Sequence, residues 1–155
     1  MLKELLQHLD ELNVHIENLN DEIDNFMKPE EKQASQMIQD VTGIGNTSAQ
    51  AIIAVIGTDM ERFPSDRHIS SWAGLCPGDN ISAKKRKGGK IRKGNALLKS
   101  TLVLCAHAAV RHKSSYFHAQ FKRISTHRGK KRAYVAVAHS ILIVIYHILK
   151  DGVKY

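Results

Sequence analysis

AYVAVAHSILIVIYHIL, residues 133–149, is an apolar run interrupted by His139, Ser140 and His147. Whether it is a strand, a membrane span or a buried helix decides the fold. Val135, Val137, Ile141, Ile143, Val144 and Ile145 are β-branched and make a buried strand conceivable. A span needs roughly 20 apolar residues, more than this run supplies. Its length and its alanines favour a helix, because strands are usually far shorter. The stretch is therefore expected to be a buried core helix, with no membrane partner.

Upstream, ALLKSTLVLCAHAAVRH (96–112) reads as a strongly apolar helix capped by Asn95, with Ala106, Ala108 and Ala109 small enough for close packing. SSYFHAQFKRI (114–124) reads as another helix, and THRGKKR (126–132) as a basic turn. Residues 58–79 read as irregular, with a short helix around Ile69 to Gly74. No repeat of 20–50 residues is visible. The expected fold class is all-α.

At the other end, Leu2, Leu5, Leu9, Leu12, Ile16, Leu19, Ile23 and Phe26 alternate spacings of three and four. That is the seam of a coiled coil, and it predicts a homo-oligomer formed through residues 1–28. One long amphipathic helix folded back on the same chain is the alternative. Pro29 either ends this segment or starts the next helix. The expected organisation is a coiled-coil arm over 1–30 and a basic helical domain over 31–155.

Charge divides the chain in the same place. Residues 1–31 hold nine acids against Lys3 and Lys28, a net of −7; the remaining residues hold 21 basic and six acidic side chains, a net of +15. The basic part suits a polyanion, and nucleic acid is the leading candidate. MLKELLQHLDEL carries acids where a signal peptide would need a basic start, so a cytoplasmic location is expected. Cys76 and Cys105 are too few for a disulfide framework and form no CxxC pair. The nine histidines form no HExxH-like pattern, and the acids beyond the arm are scattered, so no metal or other cofactor is assigned to this chain.

Two segments point to phosphate. In SQMIQDVTGIGNTSAQAIIAVIG (35–57), a short apolar helix ends near Val41, Gly43 and Gly45 flank a turn, and Asn46 or Thr47 caps a second helix through about Ile56. This resembles a helix-hairpin-helix element, whose glycines and helix start offer backbone N–H groups to a phosphate. A tight turn between helices with no ligand is the plainer reading. In NISAKKRKGGKIRKGN (80–95), Lys84, Lys85, Arg86, Lys87, Lys90, Arg92 and Lys93 surround one hydroxyl, that of Ser82. These cations can clamp phosphates and stabilise charge on a transferring phosphoryl group. Ser82 is the candidate nucleophile, although a serine hydroxyl needs activation and composition alone supports only phosphate binding.

WAGLCPGDNISAKKRKGGKIRKGNALLKSTLVLCAHAA (72–109) resembles the C-terminal domain of the insertion-sequence 110/116/902 transposases. It follows their pattern aGLaPgnneSaGkrksGrtrkGNrwLRraLveaA in register. The GIG turn upstream and RGKKRAYVAVAHSILIVIYHILKDG (128–152) downstream extend the resemblance over roughly residues 35–152. The resemblance implies a serine-using DNA recombinase domain acting in transposition, with Ser82 on the position of the serine that becomes joined to DNA. It implies DNA and a guide RNA as partners. It also implies a separate RuvC-like domain whose four acids bind divalent metal, expected to be magnesium. Lys84 departs from the family's glycine at that position, and the acidic domain is not found in this sequence, so the isolated chain is expected to be inactive alone. A non-catalytic module that grips phosphates through the turn and the basic loop is the alternative function.

Overall fold

The computed structural model describes residues 1–76 and 93–155, together with the backbone of 81–82 and 85–86. Its elements, in order, are α1 (Leu2–Phe26), α2 (Pro29–Gln39), α3 (Asn46–Ile56), a 3-10 turn (Met60–Arg62), α4 (Asp66–Trp72), β1 (Ile81–Ser82), β2 (Lys85–Arg86), α5 (Ala96–Arg111), α6 (Tyr116–Arg128) and α7 (Lys130–Asp151). The class is all-α; the two-residue strands form one small antiparallel ladder, with Ser82 opposite Lys85.

The run 133–149 is helical and central. α7 packs against α2, α4, α5, α6 and the 3-10 turn. Its length and composition would allow it to cross a membrane. However, Val137, Ala138, Ile141, Leu142, Ile145, Tyr146 and Ile148 are buried inside the protein, as expected of a core helix. Tyr146 lies deep in this core and donates its hydroxyl to the Phe63 carbonyl at 3.0 Å, while Lys150 Nζ donates to the same phenol oxygen at 2.9 Å. Pairing the phenol in this way removes the cost of burying it. α5 is capped as its sequence suggests, by Asn95 Oδ1 accepting from the Leu98 N–H at 2.9 Å. Of its three small residues Ala106 and Ala109 are buried, whereas Ala108 faces outward.

Pro29 starts α2 rather than merely ending α1, at the first helical position where its missing N–H is harmless. The Lys28 N–H donates to the Glu31 carboxylate at 2.9 Å to complete that start. α1 does not fold back on the chain: none of its residues is buried, and its seam residues from Leu2 to Phe26 are exposed. It is tethered near its C-terminal end. Gln50 Nε2 on α3 donates to the Asn20 carbonyl at 3.1 Å and to Asp24 Oδ1 at 2.8 Å, and Thr47 Oγ1 donates to Asn20 Oδ1 at 3.2 Å. N-terminal to that joint, Leu2 to Asn20 extends about 27 Å at 1.5 Å per residue.

Candidate nucleic-acid interface

The chain on the two sides of the basic segment meets in a narrow neck. The turn that closes α4 contains Gly74, whose φ of +71° suits glycine, with the Gly74 and Leu75 N–H groups bonded to the Ser71 and Ser70 carbonyls. The returning chain lies directly on this turn at Gly94. A Cβ there would stand 2.4 Å from both the Ala73 carbonyl carbon and the Gly74 nitrogen, so only glycine allows the two backbones to touch. Asn95 then starts α5. Lys93 is exposed at the neck, and Trp72, 41% exposed, leans on Phe63 with ring centroids 5.5 Å apart. The side chains of Ser82, Lys84, Lys85, Arg86, Lys87, Lys90 and Arg92 lie outside the described residues. What is described is the frame at the two ends of the segment that carries them. Gly94 was not singled out from sequence, although a Gly-Asn pair just ahead of an apolar helix marks such a joint.

The turn between α2 and α3 separates the two glycines of GIG by role. Gly43 has φ +96° and is pressed against α5, where an added Cβ would lie 2.5 Å from the Cys105 carbonyl oxygen and 2.6 Å from the Ala109 nitrogen. Packing alone accounts for glycine at this position. Gly45 is exposed, has an ordinary extended backbone, and has open space where a side chain would be. Gly45 is also the N-cap of α3, and no side chain caps that helix. This corrects the expectation that Asn46 or Thr47 does so. Asn46 Oδ1 instead accepts from Gln39 Nε2 at 3.4 Å, and Thr47 reaches the arm at Asn20. With the first intrahelical bond made by the Ala49 N–H to the Gly45 carbonyl, the N–H groups of residues 46–48 remain outside the helix ladder.

The aromatic side chains that could stack on bases divide between core and surface. Phe117 is fully buried and Phe121 half-buried, while Tyr116 and Trp72 remain on the surface. Cys105 is buried, and that burial pushes its thiol up from the ordinary range, which makes it inert rather than reactive. Among the described residues no three His, Cys, Asp or Glu side chains gather in a way that could hold a metal ion.

Residues 35–122 match the family described as Transposase IS116/IS110/IS902. The chain belongs to that family. It is 30% identical over 124 residues to the transposase for insertion sequence element IS1111A of Coxiella burnetii, covering 77% of this chain and 34% of that protein. It is 29% identical over 125 residues to an uncharacterized 43.6 kDa protein of insertion element IS110 from Streptomyces coelicolor, covering 78% of this chain and 30% of that protein. A pilin gene-inverting protein of Moraxella lacunata is 26% identical over 128 residues, covering 80% of this chain and 39% of that protein. The chain thus spans roughly a third of the length of the curated relatives it matches. The matched segment contains the α2–α3 turn, the neck and the whole basic loop.

Proposed function

We propose that this chain is the DNA-binding, serine-presenting part of an insertion-sequence transposase, acting in DNA transposition and recombination from the cytoplasm. The observation that carries this reading is the neck: a loop with seven lysines and arginines between Lys84 and Lys93 is anchored by Gly74 and Gly94 between two core helices. Anchoring both ends limits the entropy lost when the loop closes on a phosphate backbone. Family membership and the gene-inverting relative support the reaction class.

In the proposed step Ser82 Oγ attacks a DNA phosphorus. A serine–phosphate ester forms as one phosphorus–oxygen bond to deoxyribose breaks. The proton lost by serine is balanced by one gained on the departing sugar oxygen. One ester replaces another, so no oxidant or energy source is consumed. The surrounding cations stabilise negative charge on the phosphoryl oxygens. The divalent metal implied by the resemblance finds no fitting set among the described side chains, and residues outside this chain are proposed to hold it. A guide RNA is proposed as a second nucleic-acid partner.

The arm is proposed to associate with a second copy. Eight seam residues lie exposed on α1, and a matching helix would cover them. Light scattering is expected to give a dimer or larger assembly for the whole chain and a monomer once residues 1–28 are removed. A monomer in both cases would overturn this.

Binding itself is tested by salt. Replacing Lys84, Lys85, Arg86 and Lys87 with alanine is expected to weaken binding to unrelated duplexes about equally. It should also flatten the slope of log K against log salt by up to about 0.9 for each phosphate that the loop no longer neutralises. Unchanged slopes would mean that the loop faces away from DNA.

A further inference from the structure

The sequence from Asn80 to Lys150 contains no aspartate or glutamate. Within it, the last two turns of α6 and the first turn of α7 carry Lys122, Arg123, Arg128, Lys130, Lys131 and Arg132, all of them exposed. Among the described residues the ion pairs involve only Met1, His8 and His147 with nearby acids, so no acid neutralises this corner. Lys130, Lys131 and Arg132 are consecutive, so their charges lie within about a Debye length of one another and repel.

The two helix ends bear this charge unequally. At the C-terminus of α6, His127 and Arg128 sit where the helix dipole favours cations. At the N-terminus of α7, Lys130, Lys131 and Arg132 occupy the first three positions, where the dipole disfavours them, and neither an acid nor a side-chain cap compensates. Only Gly129, with φ +80°, separates the helices, and the space where its side chain would be is open. The corner is also braced. Tyr134, one turn into α7, stacks on His107 of α5 at 3.6 Å between centroids and meets Phe121 of α6 at a tilt, 4.5 Å between centroids. A rigid, uncompensated cationic corner, arranged against its own helix dipole, gains most from a polyanion that neutralises it.

We propose that the α6–α7 corner is a second DNA contact, which binds the phosphate backbone of a duplex independently of the loop at 84–93. Duplex DNA carries one charge per about 1.7 Å of axis, so about 10 Å of duplex presents charge enough to match the six cations. A bilayer surface is the poorer match, because Tyr134 and Phe121 beside the corner are packed against each other and against His107 rather than free to insert. The proposal rests on the reading of the chain as a DNA-binding protein.

The test is the whole chain with Lys130→Gln, Lys131→Gln and Arg132→Gln together, because glutamine keeps helix propensity while removing charge. Affinity for a mixed-sequence duplex is measured by fluorescence anisotropy between about 50 and 200 mM salt. The salt slope is expected to fall by about two to three units, in addition to whatever the loop substitutions remove. The melting temperature should hold or rise by about 1–3 °C as the clash with the dipole is relieved. If the triple variant fails to fold, Lys131→Gln alone should lower the slope by about one unit. An unchanged slope in a folded variant overturns the proposal, as does a slope reduction that vanishes once the loop is also substituted. Corner-dependent binding to phosphatidylserine vesicles with an unchanged duplex slope would assign the corner to membranes instead. If the unmodified chain binds no duplex, the functional reading fails and this proposal fails with it. If the loop variant loses slope and the corner variant does not, only this proposal fails.

Discussion

Gly43→Val is expected to destabilise the fold severely, whereas Gly45→Val leaves it folded and weakens DNA binding. At Gly43 the penalties coincide. The φ of +96° excludes a β-branched residue, and the first side-chain carbon would fall 2.5–2.7 Å from the backbone and Cβ of α5. The left-handed backbone costs about 1–2 kcal/mol, and forced overpacking adds about 1–3 kcal/mol. Together these are a large share of the about 5–15 kcal/mol that usually separates folded from unfolded. A fall in melting temperature of at least about 6 °C should follow in thermal circular dichroism. Gly45, in extended backbone with nothing within 4 Å, accepts valine at about 1 kcal/mol or less for the poorer N-cap. Its new side chain would then stand beside the N–H groups proposed to meet a phosphate. A Gly43→Val protein with the melting temperature of the parent would mean that the turn is not seated on α5.

Ser82→Ala is expected to abolish a covalent protein–DNA adduct while leaving equilibrium binding nearly intact. The proposed nucleophile disappears completely, so what is removed is a reaction and not merely a hydrogen bond. The clamps at Lys84, Lys85, Arg86 and Lys87 remain, and binding to duplex should stay within about threefold because a single neutral hydroxyl contributes about 0.5 kcal/mol. Ser82→Cys should retain at most a trace, since a thiol is a nucleophile of different size and metal preference. The comparison needs a full-length family transposase that carries this chain, with its nucleic acids and magnesium. Equal loss of adduct and of binding in Ser82→Ala would make the serine a binding residue.

The helices are readable from sequence wherever local chemistry sets them. Length and alanine content identify α7 as a helix despite its β-branched residues, Asn95 identifies the start of α5, and alternating threes and fours identify α1. The reading fails where a partner distant in sequence decides. Asn46 and Thr47 are ordinary cap residues, but Thr47 is drawn to Asn20, 27 residues away, and the cap falls to Gly45. GIG reads as one unit in sequence, but α5 presses on only its first glycine. Gly94 owes its identity to the backbone of Ala73 and Gly74 across the loop; the Gly-Asn pair marks a joint there but not the contact that demands glycine. The same holds for the charged corner, where only the single-residue joint between α6 and α7 brings the cations of the two helix ends near one another. For Ser82, charge density alone suggests phosphate; it is the family resemblance that singles out the hydroxyl.

The most direct test of the account is to map the covalent attachment. The full-length transposase carrying this chain would react with its DNA, and an adduct surviving denaturing electrophoresis would be digested and located by peptide mass. The account predicts attachment at Ser82. The structure sharpens the contrast, because Ser70 is fully buried and Ser100 is exposed with its hydroxyl donated to the Leu97 carbonyl at 2.9 Å. Attachment at Ser71, Ser100 or any tyrosine, or efficient recombination with no attachment at all, would contradict it.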